Sequence, residues 1–210
     1  MIKSSVCAMT ALFLMSGAAF AQPPNQPGHA PPAPGANTEA VSAVEDAVAS
    51  LVGQVSAEMT TTTRGFATAA AVSDMYEVEA GRIAADRARS DEVKAFARMM
   101  VDAHTKTTAG LKSAISAGKA DVTLPTAVDN RRQGMLDNLR GADAGDFDYR
   151  YMTQQVAAHR EAERLFDGYS KDGDNQAVKD FAAKTVGDIR SHLTQAEALR
   201  NRVSQTASNR

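Results

Sequence analysis

Three histidines lie where the surrounding helical pattern calls for apolar residues. In the stretch RMMVDAHTK, residues 98–106, His104 lies near the centre of an apolar stripe, and His159 and His192 occupy equivalent positions in two later helical segments. Each lies about 13 to 17 residues into its segment, which at 1.5 Å per residue places all three in the middle third of an antiparallel helix bundle. We therefore predict that the three imidazoles share one buried layer.

Two carboxylates accompany the histidines. Glu77 lies about 13 residues into the preceding helical segment, which predicts that it faces the same layer. Asp188 precedes His192 by one helical turn, so it can accept a hydrogen bond from that ring and orient it. One carboxylate and three imidazoles suit a single ion of iron, zinc, manganese or copper, and helix-bundle cores are where such ligands converge. The candidate metal ligands are Glu77, His104, His159 and His192.

A buried polar network without any metal would use the same residues. Neutral histidines can hydrogen-bond to Glu77 and Asp188 and fix the helix register while binding nothing. In that case the stability of the fold should fall as the pH drops below about 6.5, because buried neutral imidazoles would have to accept a charge. The sequence leaves both interpretations open.

The first 21 residues, MIKSSVCAMTALFLMSGAAFA, have the form of a secretory signal peptide. Lys3 precedes an apolar run, and the small-x-small motif at 19–21 predicts cleavage after Ala21. The apolar run is shorter than the roughly 20 residues that a membrane-spanning helix needs, and no later segment is comparably apolar. We therefore expect a periplasmic or secreted protein without a membrane span.

Charge and cysteine content exclude several functions. The only cysteine, Cys7, lies within residues 1–21, so the remaining chain offers no disulfide, thiolate ligand or cysteine nucleophile. The whole chain has a formal charge of −2 with both signs interspersed, without the basic clustering typical of nucleic-acid binding. Glycine-rich phosphate loops and Ser-His-acid spacings are also absent from the sequence. We expect no nucleic-acid partner, and a binding or structural role rather than catalysis.

Helical patterns separated by short breaks fill most of the chain. Residues 22–37 hold six of the seven prolines and predict a disordered linker. Beyond residue 37 the composition favours helix throughout, and the predicted N-caps are Thr60–Thr63, Ser90 and Thr126. The predicted helices span 38–59, 64–89, 91–117, 127–140, 146–169 and 175–203, and a disordered tail at 204–210 follows them.

Long helices with short connections predict an all-α protein. The four long helices within 64–203 are expected to form an antiparallel four-helix bundle, with a short helix in the connection between the second and the third. The segment 38–63 adds an N-terminal amphipathic helix, which can cover its own domain or pair with a second copy of the chain. Its apolar seam consists of Val41, Val44, Val48, Leu51 and Val55.

Five segments of the bundle region form an ordered set of motifs. They are YEVEAGRIAADRARSDEVKAFARMMVDAHTK at 76–106, LP at 124–125, FDYRYM at 147–152, AAHREAERLF at 157–166 and AAKTVGDIRSHLTQAEAL at 182–199. Over residues 64–200 the chain resembles an uncharacterised bacterial family of exported proteins, a domain of unknown function with a ferritin-like four-helix bundle. The resemblance implies that fold, an exported location and a motif set that includes Glu77, His104, His159 and His192, without an established activity. One departure is Gly187, where such sequences tend to have proline.

The ligand pattern of ferritin-like di-iron proteins is incomplete in this chain. Those proteins take a Glu-x-x-His motif from each of two helices, whereas the residues three positions before the histidines are Val101, Val156 and Ile189. We therefore expect no standard di-iron centre, and an oxidoreductase is the least supported function. The sequence predicts an exported helical-bundle protein that binds a single transition-metal ion. The alternative is a non-catalytic structural or interaction module of the cell envelope, with residues 38–59 forming a homo-oligomer.

Overall fold

The described residues of the computed structural model are 39–58 and 60–208. They form six α-helices and contain no β-strand, which confirms the all-α prediction. The predicted signal peptide at 1–21 and the predicted linker at 22–37 lie outside the described residues. None of the six helices is both long and apolar enough to cross a membrane. The helices are α1 (Glu39–Glu58), α2 (Thr63–Arg87), α3 (Asp91–Ala117), α4 (Asn130–Gly141), α5 (Phe147–Asp172) and α6 (Gln176–Ser208).

Short polar side chains determine where several helices begin. Thr62 caps α2 and Ser90 caps α3, each accepting a hydrogen bond from the backbone N–H three residues further on, as predicted. The prediction that Thr126 caps the short helix was wrong, because Asp129 caps α4 instead. A carboxylate interacts more favourably than a hydroxyl with the positive end of a helix, and this favours the later start.

Helix α6 is longer than predicted. It continues to Ser208, so the prediction of a disordered tail at 204–210 was wrong as far as residue 208. The added segment, 204–208, contains neither glycine nor proline, and Val203 directly before it packs against the core. The hydroxyl of Thr206 also donates a hydrogen bond to the carbonyl of Arg202 at 3.0 Å. These features allow the helical pattern to continue.

The four long helices pack side by side. Helix α2 contacts α3 and α5, and α6 contacts the same two helices. Only residues 88–90 separate α2 from α3, and only 173–175 separate α5 from α6, so the chain reverses direction within each pair. Helix α4 lies on α2 and α5, and α1 lies on α4 and α5.

Gly81 allows α2 to approach α3 closely. A Cβ atom at this position would lie 2.8 Å from Cγ2 of Val101 and 2.9 Å from the carbonyl oxygen of Ala97, closer than side chains normally pack. Both helices contribute residues to the histidine layer. The close approach therefore sets the distance across which those residues meet.

A polar layer divides the apolar core into two clusters. One cluster contains Phe96 and Met152, and the other contains Leu111 and Phe166. Along each of α3, α5 and α6, the core residues before the histidine belong to one cluster and those after it to the other. The histidines thus lie at a common depth, with apolar packing above and below them.

Helix α1 lies on the other helices with a polar face inward. Asp46 is buried, and its carboxylate accepts hydrogen bonds from Asn138 at 3.0 Å and from Gln154 at 2.7 Å. The same carboxylate forms an ion pair with the buried Arg150 at 3.3 Å. A polar network therefore holds α1 against α4 and α5.

The opposite face of α1 carries apolar side chains. Val44, Val48 and Val52 are exposed by 63, 58 and 53 %. Two of them, Val44 and Val48, belong to the predicted seam, and nothing is described of the side chains at positions 41, 51 and 55. The helix covers its own domain, but these two seam residues do not make that contact.

Candidate metal centre

The rings of His104, His159 and His192 meet between the four long helices. The ring centroid of His159 lies 5.6 Å from each of the other two centroids, which are 6.2 Å apart. One ligand nitrogen from each ring lies within 4.8 Å of its counterparts in the other two. His104 and His159 are buried, and His192 is half-buried. This arrangement agrees with the common layer predicted from helix depth.

Asp74 orients the ring of His104. Nδ1 of His104 lies 2.8 Å from Oδ1 of Asp74, and the hydroxyl of Thr108 donates to the other carboxylate oxygen at 2.9 Å. Because a carboxylate accepts, Nδ1 of the ring carries the donated proton. In the neutral ring, Nε2 of His104 is then the nitrogen with the free lone pair, and it is buried without a hydrogen-bond partner among the described residues.

The backbone orients the ring of His159 in the same way. Nδ1 lies 2.9 Å from the carbonyl oxygen of Gln155, one turn earlier on α5, and a carbonyl can only accept. Nε2 of His159 therefore keeps its lone pair, and it too is buried without a partner in the described part of the chain. On α6, Nδ1 of His192 is a third buried ring nitrogen without a described partner.

Glu77 lies beside this cluster rather than within it. The group of converging ligand atoms among the described residues consists of the three histidines alone. Glu77 is buried, its Oε2 accepts a hydrogen bond from the amide of Gln155 at 2.7 Å, and its Oε1 has no described partner. That free oxygen lies 3.9 Å from Nδ1 of His159. Glu77 thus places negative charge next to the imidazoles with one oxygen unused.

Asp188 is not in the buried layer. It is exposed on α6, and the described residues include no hydrogen bond between it and His192. The predicted contact to His192 is therefore not formed, and the carboxylate that does orient a ring of this layer is Asp74 on α2, which contacts His104. A separation of one helical turn would allow Asp188 to reach the ring of His192 along α6, but the side chain of Asp188 lies on the solvent side of the helix. Its charge acts on His192 only by raising the pKa of that ring slightly against the stronger effects of burial.

Burial keeps two of the three rings neutral. Burial and, after it, the charge of His104 lower the pKa of His159 to about 3. Burial and then the charges of the other two histidines lower the pKa of His192 to about 4. Both side chains are therefore available as neutral ligands at ordinary pH.

His104 behaves differently because carboxylates face it. Burial lowers the pKa of His104, but the hydrogen bond that the ring donates to Asp74 and the negative charges of Glu77 and Asp74 outweigh burial and raise it. Burial likewise raises the pKa of both carboxyl groups, against the opposing effect of His104. The carboxylates of Glu77 and Asp74 thus favour a positive charge on the ring of His104.

The geometry is suited to one metal cation. Metal–nitrogen bonds of about 2.0–2.1 Å in a tetrahedral site place ligand nitrogens roughly 3.4 Å apart. The three nitrogens here lie within 4.8 Å of one another, so the rings need to approach by about 1.4 Å at most. Buried polar atoms without a partner are rare and costly, and a bound cation would satisfy all three at once.

Two polar partners of the site were not assigned a role by the sequence. Asp74 precedes Glu77 by three residues and therefore shares its face of α2, a spacing that could have indicated it. Gln155 lies one turn before His159 in the same inward stripe, where its amide reaches Glu77. In both cases the signal was a polar residue one turn from a buried titratable residue.

Fold and site together define an all-α protein with a buried three-histidine cluster. Residues 48–199 match the family described as Domain of unknown function (DUF4142), and the chain belongs to this family. This confirms the family resemblance seen in the motifs, although the match begins within α1 rather than after it. A search of curated proteins and a search of solved structures each found no match.

Proposed function

We propose that the protein binds a single transition-metal ion through His104, His159 and His192. The observation that carries this proposal is the convergence of the three rings, each of which has one buried nitrogen without a partner among the described residues. Asp74 and the carbonyl of Gln155 support it, because they fix two rings with the ligand nitrogen toward the cluster. The role that we propose for this site is metal handling or sensing.

Three imidazoles favour zinc or copper over iron and manganese, which more often bind carboxylate oxygens as well. Glu77 would balance the charge of the ion, and its unused Oε1 is the candidate for a fourth ligand. A water molecule could take that position instead. The single group of converging ligands in the described chain argues for one ion and against a di-iron centre.

The same proposal includes the fold type and the location. We assign the four long helices to a ferritin-like antiparallel four-helix bundle, on the basis of their pairwise packing, their short connections and the family resemblance. A signal peptide at residues 1–21 would export the protein to the periplasm or beyond. An oxidising compartment is also compatible with a chain that has no cysteine after Cys7.

Elemental analysis tests the metal proposal directly. The protein is purified from the periplasm of a bacterial host without affinity tag or chelator, beside the variant His104→Ala/His159→Ala/His192→Ala. We expect about one zinc or copper ion per chain in the parent and none in the variant, whose folding is checked by circular dichroism. Metal-free parent protein that still gains no ion on dialysis against zinc or copper would refute the proposal.

A second candidate is an interaction module that pairs through α1. The observation in its favour is the exposed row formed by Val44, Val48 and Val52. Three valines at successive turns of one helix face form a contiguous apolar patch, and such patches often mark protein–protein contacts. This row could meet the same row of a second copy. In this case the polar histidine layer would serve only to fix helix register.

The variant Val44→Thr/Val48→Thr/Val52→Thr tests this candidate, since threonine keeps the side-chain shape and removes the apolar surface. We expect sedimentation analysis to give a dimer mass for the parent and a monomer mass for the variant, with unchanged helical content. A monomeric parent, or a variant that still dimerises, would count against pairing through α1.

A further inference from the structure

A cleft of about 550 Å³ lies over a face of α5 that does not include His159. Helix α1 borders it on one side, and Arg200 of α6 borders it on another. Its volume is within the range of about 300–1,000 Å³ that is usual for small-molecule sites. Because its lining does not include any of the three histidines, this cleft is separate from the candidate metal centre.

The lining of the cleft combines apolar surface with arginines. Buried Met135 and Val156, together with alanines of α1 and α5, provide the apolar part. The charged residues are Arg150, Arg160 and Arg200, together with the carboxylates of Asp46 and Asp146. Such a lining fits a ligand with an apolar body and a negatively charged head.

Two hydrogen-bond donors of the cleft lack an acceptor. Arg150 pairs with Asp46 and Arg160 pairs with Glu197, whereas Arg200 forms no hydrogen bond or ion pair with any described residue. The hydroxyl oxygen of Thr153 is buried and also has no described partner. A buried hydroxyl in this state costs free energy unless something satisfies it, so the cleft has both a free positive charge and an unsatisfied donor.

We propose that this cleft binds an amphipathic carboxylate, a molecule with an aliphatic body and one carboxylate head. The carboxylate accepts a hydrogen bond from the guanidinium of Arg200 and, once the side chain of Thr153 rotates toward the cleft, a second one from its hydroxyl, which a carboxylate can do with its two oxygens. The aliphatic body lies along Val156 and Met135. The ligand class follows from the two free donors and the apolar floor, and it does not depend on a bound metal.

Calorimetric titration with decanoate tests the proposal on the full exported chain. We expect saturable one-to-one binding, with equal affinity in protein treated with chelator and in protein saturated with zinc. Decyltrimethylammonium, which has the same chain and a positive head, should bind at least tenfold more weakly. An absence of saturable decanoate binding, or equal binding of the cationic probe, would overturn the proposal.

Substitutions then identify the residues that hold the head group. Arg200→Gln should weaken decanoate binding roughly 10- to 100-fold, since it removes a charged hydrogen bond, and Thr153→Val should weaken it several-fold. The control is Arg98→Gln, which removes an exposed arginine of α3 outside the cleft and should leave the affinity unchanged. Decanoate affinity that is the same in Arg200→Gln and Arg98→Gln would refute this assignment. Binding that persists in His159→Gln would separate the cleft from the metal proposal.

Discussion

Zinc is expected to raise the melting temperature of the parent protein and to leave that of His159→Gln unchanged. An ion that binds only the folded chain adds RT ln(1 + [L]/Kd) to the free energy of unfolding, about 2.7 kcal/mol at 100 times Kd. For a domain of 150–250 residues this corresponds to a shift of roughly 5–10 °C, taking about 2–4 °C per kcal/mol. Glutamine is chosen because it stays neutral and retains a polar side chain in the buried layer.

Asp74→Asn provides an intermediate variant for the same measurement. Loss of a carboxylate that orients a ligand histidine typically costs 10- to 100-fold in metal affinity, so the zinc concentration needed for a given shift should rise by that factor. The matched control is Asp102→Asn, which removes an exposed carboxylate on α3. Equal zinc-induced shifts in the parent, Asp74→Asn and His159→Gln would show that the three histidines do not bind the ion.

The positions of the histidines could be predicted because helix geometry alone determines them. The apolar period places His104 and His159 inward, and their depth along each helix places them at a common level. The observed rings are within about 6 Å of one another, centroid to centroid. A local repeat and a fixed rise per residue were sufficient for this part of the site.

The partners of the histidines were harder to predict because they depend on how helices rotate against one another. Asp188 has the right spacing on its own helix but lies on the solvent side, whereas Asp74 reaches His104 from a different helix. The close approach of α2 and α3 at Gly81 brings these two helices together. Sequence spacing does not carry that information.

The orientation of α1 was also beyond the reach of pattern analysis. Apolar periodicity predicts that valines face inward, yet Asp46 is buried and Val44 is exposed. The hydrogen bonds from Asn138 and Gln154 explain this reversal, since both donors come from other helices and satisfy the buried carboxylate. Periodicity counts apolar residues, and it does not detect polar partners supplied from elsewhere in the fold.

The metal-free parent should lose stability in acid more steeply than His159→Gln. The folded chain holds the pKa of His159 at about 3, while the unfolded chain has the ordinary value of about 6.5. As the pH falls below 6.5, His159 binds a proton in the unfolded chain but stays neutral in the folded chain, which favours unfolding. The contribution of this residue to stability is therefore full above pH 6.5 and declines toward pH 3. His192, with its pKa lowered to about 4, acts in the same direction.

The other titratable groups of the layer oppose this loss of stability. The quantity to measure is therefore the difference in the free energy of unfolding between the parent and His159→Gln. The raised pKa values of His104, Asp74 and Glu77 favour the folded state as the pH falls. They are present in both proteins, so subtraction leaves the titration of His159 together with its electrostatic coupling to His104 and His192. The difference in the free energy of unfolding, from urea titrations in chelator at pH 7 to 4.5, should change by up to about 1.4 kcal/mol per pH unit below 6.5.

The control is His29→Gln, a substitution in the proline-rich segment, which should match the parent at every pH. Parallel pH profiles for the parent and His159→Gln would mean that His159 is not held neutral in the fold, and the cluster would then lack the neutral ligand on which metal binding depends.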